Sequence, residues 1–175
     1  GSMPAHSHRK GDDAAFLGVH VDDAMLATSS GELRKFTMDQ TKKKFKIGDE
    51  GPLSHCPGFS FDQSEDNKTV EVSAERYILD LAEKFEMEHA NPVKNPCLPG
   101  VSLAQAKQDE DILDTDEVPH PQLVGSLLYL SNNMRPDVAH ITNSLARHMT
   151  KPTAIHWLAA KRVLACLKTT ANYRL

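Results

Sequence analysis

The stretch "AAFLGVHVDDAMLATSS", residues 14–30, constrains the fold most, because two apolar, β-prone runs meet at two adjacent carboxylates. Aspartate is disfavoured within strands, and a charge among apolar neighbours costs free energy unless it is solvated or paired. Two such runs joined by Asp22 and Asp23 are typical of a β-hairpin. The residues leave two explanations for the pair open: a plain tight turn, or a site for a divalent metal ion.

The rest of the chain divides into one more hairpin and a series of helices. The runs "HCPGFSFDQ" and "TVEVS" bracket the turn-rich "SEDNK" and predict the second hairpin. Helices are predicted for "ELRKFTMDQTKKKF" between the hairpins and for "AERYILDLAEKF", which Ser73 can cap, after them. Three further helices come next, separated at Pro136 and Pro152, and Thr153 can cap the last one. This order predicts an α+β fold, with a small antiparallel sheet of two hairpins followed by a C-terminal helical bundle.

Composition shifts predict where the chain divides. Residues 1–13 begin like a cloning remnant and are expected to form a disordered arm. Residues 14–72 hold both hairpins, and residues 73–175 form the helical region, with an acidic loop at 104–118. We expect the helices to pack on the sheet through Leu127, Leu128, Leu130, Leu145, Trp157 and Leu164.

The net charge of -4 conceals an asymmetry along the chain. Residues 1–118 have a balance of -10, whereas residues 119–175 have a balance of +6. Cationic groups concentrate in two helices, where they permit binding to a phosphate backbone or form ordinary solvated helix faces. The residues concerned are Lys42, Lys43, Lys44, Lys161, Arg162 and Lys168.

Several classes of protein are disfavoured. No apolar run is long enough to span a membrane, and no signal peptide opens the chain, so we expect an intracellular location, cytoplasmic or nuclear. The three cysteines are far apart without CxxC spacing, which argues against a disulfide framework or a structural zinc site. His140, His148 and His156 recur every eight residues, but the break at Pro152 favours surface or partly buried histidines over zinc ligands.

Several motifs then occur in the order of a known family. "VHVDDAMLA" resembles the YVDD hairpin of copia-type retrotransposon reverse transcriptases, and "PGFSFDQ" resembles the FLGIEI strand of their primer-grip region. "VSAERYILDLAEKFEMEHANPVKNP" is similar to the family's LSQ-x-x-YI helix, its RF-x-M ending and the STP stretch after it. "LVGSLLYLSNNMRPDVAHITNSLARHMTKPTAIHWLAAKRVLACLKTT" is similar to its VGSLMYL, TRPDIA, LSRFM, HW and KRILRYLKGT segments. The resemblance covers residues 14 to 175.

The resemblance implies part of a polymerase palm followed by a thumb, and a function in RNA-directed DNA synthesis. Asp22 and Asp23 would be catalytic and would bind Mg²⁺ or Mn²⁺ in the intact enzyme. Gly58, Phe59 and Phe61 would belong to the primer-grip region. The six cationic residues named above would hold an RNA or DNA template–primer weakly and without sequence preference.

Departures from the family pattern lead to competing hypotheses. The family has a further aspartate upstream of YVDD, whereas only 13 residues precede Ala14, so we expect this fragment to be inactive alone and to bind no metal. Cys56 and Pro57 replace the family's Phe and Leu. The alternatives are a co-opted, non-catalytic module that binds nucleic acid or a protein, and a scaffold piece without retained function. Exposed palm edges also predict a homodimer.

Overall fold

A computed structural model describes most of the chain, and it divides the chain into two compact units, Gly1–Leu53 and Ser54–Leu175. The predicted α+β class is confirmed. For residues 5–10, 20, 23, 55 and 56 only the backbone is described. The described residues are 5–10, 13–20, 23–56, 58–66, 68–97, 100–101, 103 and 112–175.

The first unit is a three-stranded antiparallel sheet with one helix. Strands β1 (Ala5–Lys10), β2 (Asp13–His20) and β3 (Asp23–Thr28) lie in the order β1-β2-β3, so the predicted first hairpin is present as β2–β3. The structure differs from the predicted disordered arm, because part of residues 1–13 forms β1. The sequence of β1 is polar and has no alternating apolar pattern, so the strand was not predicted. It forms because its backbone pairs with β2.

Helix α1 (Gly31–Lys44) packs against β2 and β3. It begins as predicted, because the Ser30 hydroxyl accepts a hydrogen bond from the backbone N–H of Leu33. Only Leu33 is buried within α1, whereas Phe36 is 56% exposed. The helix therefore has a thin apolar contact with its sheet and a broad polar surface.

The second unit contains the second hairpin, and its predicted run "HCPGFSFDQ" forms two strands instead of one. Strands β4 (His55–Cys56), β5 (Phe59–Gln63) and β6 (Val70–Ser73) form an antiparallel sheet in that order. The backbone of Leu175 exchanges two hydrogen bonds with Val72, so the C-terminal residues lie along β6. Among the described strands the two hairpins lie in separate sheets, whereas the sequence predicted one sheet for both.

The helices of the second unit surround one apolar core. They are α2 (Glu75–Lys84), α3 (His120–Asn133), α4 (Ala139–Ala146) after a 3-10 turn at Pro136–Val138, and α5 (Ala154–Thr169). The six residues predicted to pack there all lie in this core or against it. Phe59 and Val72 also pack on the core. The unit boundary therefore falls before β4, not after residue 72 as predicted, because the second hairpin shares its apolar face with the helices.

The predicted acidic loop is described only from Ile112 onward, and residues 104–111 lie outside the described part of the chain. Ile112 forms an isolated β-bridge with Thr153, and Leu113 donates a hydrogen bond to the carbonyl of Pro152. Within the described residues, no helix has the length and apolar character needed to cross a membrane.

Candidate nucleic-acid interface

The β2–β3 hairpin places the predicted metal ligands at its tip. The register pairs His20 with Asp23, so only residues 21 and 22 connect the strands. Asp22 lies outside the described residues, and only the backbone of Asp23 is described. Asp13 begins β2 at the opposite end from His20, where Ser29 donates a hydrogen bond to its carboxylate. Asp13 therefore lies at the end of β2 that is far from the predicted Asp22–Asp23 site.

The donor chemistry at this tip suits a hard divalent cation. Carboxylate oxygens are the ligands that Mg²⁺ and Mn²⁺ prefer. Among the described side chains, no three His, Cys, Asp or Glu residues are grouped so that they could hold a metal ion. The metal-binding role of Asp22 and Asp23 stays a prediction.

The three lysines predicted in the first unit, Lys42, Lys43 and Lys44, lie together in the last turn of α1 and are exposed. A helix C-terminus carries partial negative charge, which favours cations there. Nearby, Arg34 donates two hydrogen bonds to the carboxylate of Asp49, at 2.8 and 3.0 Å. The hydrogen bond from the backbone N–H of Gly51 and that from Arg34 lower the pKa of Asp49.

The cationic residues of α5 instead contact the protein itself. Lys168 Nζ donates hydrogen bonds to the carbonyl oxygens of Met87, Glu88 and Ala90. Arg162 Nε donates to the carbonyl oxygens of Asn95 and Cys97, at 3.0 Å each. Both side chains thus hold residues 87–97, which we call the proline-rich segment, against α5.

Further contacts attach the proline-rich segment to α5. The backbone N–H of Val93 donates to the Thr169 hydroxyl at 2.9 Å, and the Cys166 thiol approaches the carbonyl of Lys94 at 3.5 Å. Burial raises the pKa of the Cys166 thiol. Lys161 differs, since its ammonium lies 5.7 Å from the Trp157 ring centroid. Sequence reasoning missed these roles, although an extended segment with two prolines does leave carbonyl groups that need donors.

The predicted primer-grip residues form an aromatic cluster. Gly58 has a φ of 87°, which other residues rarely adopt, and a Cβ there would lie 3.3 Å from Tyr77 Cδ2. The Phe59 ring stacks on Tyr129 at a centroid distance of 5.4 Å and an interplanar angle of 13°. Tyr77 also contacts Tyr129, at 5.4 Å. Phe61 lies further along β5 and is half-buried.

An open cleft of about 550 Å³ lies beside this cluster, between β5, α2 and the C-terminal residues. Gly58, Phe59 and Tyr77 form its aromatic wall, and Arg76 and Arg174 lie at its rim. Arg76 pairs with Asp80, and Arg174 pairs with Asp62 and Glu71. The cleft combines aromatic side chains with arginines that are paired with carboxylates, and Glu75 also lines it.

The "RPD" motif, residues 135–137, has a structural role in the second unit. Arg135 is 3% exposed and donates two hydrogen bonds to the carboxylate of Asp137, at 2.9 and 2.8 Å. The same guanidinium donates to the carbonyl and hydroxyl oxygens of Thr170, at 3.0 and 2.6 Å. The hydrogen bond from Arg135 lowers the pKa of Asp137. Arg135 thus joins the α3–α4 connection to the end of α5.

The histidines depart from expectation. His140 is exposed, but His148 and His156 are buried, and their rings stack at a centroid distance of 4.2 Å. The expectation of surface or partly buried positions is therefore wrong for these two residues. The chain reverses between α4 and α5, which brings together two rings that no single helix could align.

The chain is similar to plant retrotransposon proteins. It is 30% identical to the retrovirus-related Pol polyprotein from transposon RE1 of Arabidopsis thaliana, over 94% of this chain and 11% of that protein. It is 28% identical to that from transposon TNT 1-94 of Nicotiana tabacum, over 89% and 12%. It is 29% identical to that from transposon RE2 of Arabidopsis thaliana, over 94% and 11%.

The chain thus spans roughly one ninth of the length of the curated relatives it matches. No protein-family model matches it, and no solved structure matches it. The relatives are alike in name and align with nearly the whole of this chain. Nearly the whole chain is therefore similar to one segment of these retrovirus-related Pol polyproteins.

Proposed function

We propose that this chain is the palm-and-thumb portion of a retrotransposon reverse transcriptase, inactive alone and completed by other segments of a Pol polyprotein. The observation that carries the proposal is the β2–β3 register, which pairs His20 with Asp23 in a chain similar to Pol polyproteins and so supports a hairpin around the VDD motif. The similarity of its later motifs to the family's thumb supports the same assignment.

Within this proposal, Asp22 and Asp23 hold the metal ions of the intact enzyme together with a carboxylate from elsewhere in the polyprotein. Bound Mg²⁺ would favour deprotonation of the primer hydroxyl and offset the charge of the incoming triphosphate. The chain's own contribution would be these two carboxylates, carried by the paired strands β2 and β3. The aromatic cleft beside Gly58 would support the primer end.

The cations are assigned unequal parts in holding the duplex. Lys42, Lys43 and Lys44 are exposed and would contact phosphates, whereas Arg162 and Lys168 bind carbonyl groups of the proline-rich segment. The chain's net charge of -4 opposes binding. We therefore expect a dissociation constant in the non-specific range, about 10⁻⁴ to 10⁻⁶ M at physiological salt.

Primer extension tests the catalytic part of the proposal. The chain alone should not extend a primer with Mg²⁺ or Mn²⁺, and a longer Pol segment containing it should. Asp22→Asn and Asp23→Asn should each abolish extension by the longer protein, whereas Asp13→Asn, at the far end of β2, should retain it. Retained extension in both hairpin variants would overturn the assignment.

Titration of a labelled RNA–DNA hybrid at several salt concentrations tests the binding part. A Lys42→Gln/Lys43→Gln/Lys44→Gln variant should weaken binding and reduce the slope of log K against log salt by roughly 0.9 per lost contact. The matched control is Lys161→Gln, whose ammonium packs on Trp157 and should change the slope less. Unchanged binding in the triple variant would exclude α1 from the interface.

The second candidate function is a co-opted, non-catalytic interaction module. It is favoured by one observation, namely that two of the three predicted thumb cations hold the proline-rich segment instead of facing solvent. Absence of hybrid binding at low salt, together with an inactive longer protein, would support this candidate over the polymerase fragment.

A further inference from the structure

Three histidines from three helices meet in the interior of the second unit. His120 begins α3, His148 lies just after α4 and His156 lies in the first turn of α5. They are 0%, 8% and 0% exposed, respectively. The His148 and His156 rings stack at 4.2 Å, and the His120 ring contacts Trp157 at 6.4 Å. We call these three residues the histidine cluster.

His156 also caps the helix that carries it. The backbone N–H of Thr153 donates to His156 Nδ1 at 3.0 Å, so this nitrogen must be unprotonated to accept the bond. The Thr153 hydroxyl lies 3.1 Å from the same nitrogen. Thr153 in turn pairs with Ile112, and Pro152 accepts a hydrogen bond from Leu113. A proton on Nδ1 would therefore remove the cap at the point where the 112–113 segment is attached.

His120 has no such anchor. It is fully buried, and neither of its ring nitrogens has a hydrogen-bond partner among the described residues. Burial, together with smaller effects of His156 and His148, lowers the pKa of His120 to about 4. A charge on this ring would be unsolvated and would face two other imidazoles, so the folded unit strongly prefers the neutral ring.

The surrounding elements supply other charged groups, but His148 and His156 are the only described residues whose charges affect the pKa of His120. Helix α3 contains no Asp, Glu, Lys or Arg. The charged residues on elements around the cluster are Glu75, Arg76, Asp80, Glu83 and Lys84 on α2, Asp114, Asp116 and Glu117 in the turn before α3, Arg147 and Lys151 between α4 and α5, and Lys161, Arg162 and Lys168 on α5.

We infer that the histidine cluster is an acid-sensitive latch: its neutral rings hold the N-terminus of α5 and the 112–113 segment in place, and protonation releases them. The latch goes beyond the proposed polymerase role and does not depend on it, because all of its residues lie within the second unit. Its effect is to open the α4–α5 junction while the apolar residues of the main helical core stay packed.

The sign of the pH dependence follows from His120. Its pKa is lower in the folded chain than the 6.5 of an ordinary histidine, so the unfolded chain binds more protons between pH 6.5 and pH 4. The contribution of neutral His120 to the stability of the folded chain is fully present above pH 6.5, and it is lost as the pH falls from 6.5 toward 4. The proton that His120 binds only after opening lowers the folding equilibrium constant by up to about tenfold per pH unit.

The chain has a single tryptophan, Trp157, and its contact with His120 makes it a local reporter. Trp157 fluorescence and urea unfolding followed by circular dichroism should be measured between pH 5 and 7, above the range in which Asp137 titrates. We expect fluorescence to change with falling pH before helix content does. We also expect the folding equilibrium constant to fall by more than tenfold between pH 6.5 and 5.

Three variants distinguish the latch from general acid sensitivity. His120→Phe should remove about one proton from the pH dependence of stability, and His156→Asn, which keeps an acceptor for the Thr153 N–H, should abolish the fluorescence change. The control His140→Gln alters an exposed histidine and should leave both intact. The latch would be overturned if the stability and fluorescence of both His120→Phe and His156→Asn changed with pH as they do in the unmodified chain. Stabilisation by Zn²⁺ at pH 7 that requires His120 would also overturn it, in favour of a metal site.

Discussion

At the scale of single residues, the ion-paired side chains of this chain differ mainly in how exposed they are to solvent. Arg76 and Asp80 form an ion pair whose side chains are 88% and 52% exposed, so screening leaves that pair little net energy. Arg135 makes a similar pair with Asp137, but its own side chain is 4% exposed and bonds to Thr170 as well. The same chemistry therefore has different consequences at the two sites.

Arg135→Ala should destabilise the second unit by about 2–4 kcal/mol, because it removes four buried hydrogen bonds and leaves the end of α5 without its donor. Arg76→Ala, the control, should change stability by less than about 0.5 kcal/mol. Urea unfolding of both variants gives the two values. Similar losses in both would show that burial does not decide the strength of these pairs.

Two glycines make a matched test of backbone conformation. Gly58→Ala should destabilise the chain by at least about 1 kcal/mol, because its φ of 87° disfavours a side chain and the new Cβ would press on Tyr77. Gly125→Ala should stabilise it by about 0.5–1 kcal/mol, since Gly125 lies in α3 with nothing within 4 Å of an added Cβ. Thermal unfolding measures both, and a stabilised Gly58→Ala variant would contradict the account of the turn.

At the scale of elements, α5 is both the centre of the core and the support of the proline-rich segment. One face is buried through Ala159, Val163 and Leu167, while Arg162 and Lys168 reach carbonyl groups in residues 87–97. An extended segment that is not paired in a sheet has carbonyl groups without donors. Cations on the neighbouring helix supply the hydrogen bonds that an adjacent strand would otherwise donate.

Lys168→Met should cost about 1–3 kcal/mol, because three carbonyl oxygens lose a charged donor while the apolar stem is kept. Hydrogen exchange should accelerate at the amides of residues 87–93, and the salt slope of hybrid binding should not change. The control Lys151→Met replaces an exposed lysine and should do neither. A reduced salt slope in Lys168→Met would instead return Lys168 to the nucleic-acid interface.

At the scale of the whole molecule, the two units differ in how much apolar surface they bury. Every residue of the main core lies within Ser54–Leu175. Among the described residues of the first unit, only Ala15 and Leu33 are buried apolar side chains. Phe16 and Phe45 are 57% and 63% exposed, which leaves apolar surface for the predicted homodimer or for another part of a Pol polyprotein.

Residues 54–175 expressed alone should therefore fold and unfold in one cooperative transition, with a urea midpoint close to that of the full chain. Residues 1–53 alone should show no cooperative transition, because so small a core cannot offset the loss of conformational entropy. Circular dichroism during urea titration tests both pieces. A non-cooperative 54–175 piece would show that the second unit depends on the first.

The predicted homodimer is tested by light scattering over a range of concentrations. If the exposed phenylalanines of the first unit mediate it, Phe16→Ser should shift the chain toward the monomer, and the 54–175 piece should be monomeric throughout. The prediction of a homodimer would be wrong if the full chain were monomeric at every concentration.

The sequence by itself determined most of the local structure. Strand-prone runs and turn residues located both hairpins, and Ser30, Pro136 and Thr153 marked helix starts, because these signals act over a few neighbouring residues. It also identified the core leucines of the helical region, since apolar periodicity shows which face of a helix must be buried. The similarity to Pol polyproteins agrees with the motifs read from the sequence.

Only the tertiary structure decided what the polar residues do. Arg162 bonds to carbonyls 67 and 65 residues earlier in the chain, and Lys168 to carbonyls 78 to 81 residues earlier, so neither partner could be read from nearby sequence. The histidine cluster likewise forms where three helix ends meet. Apolar burial follows from composition and period, but a cation or an imidazole takes its role from the particular groups that folding brings within hydrogen-bonding distance and shields from water.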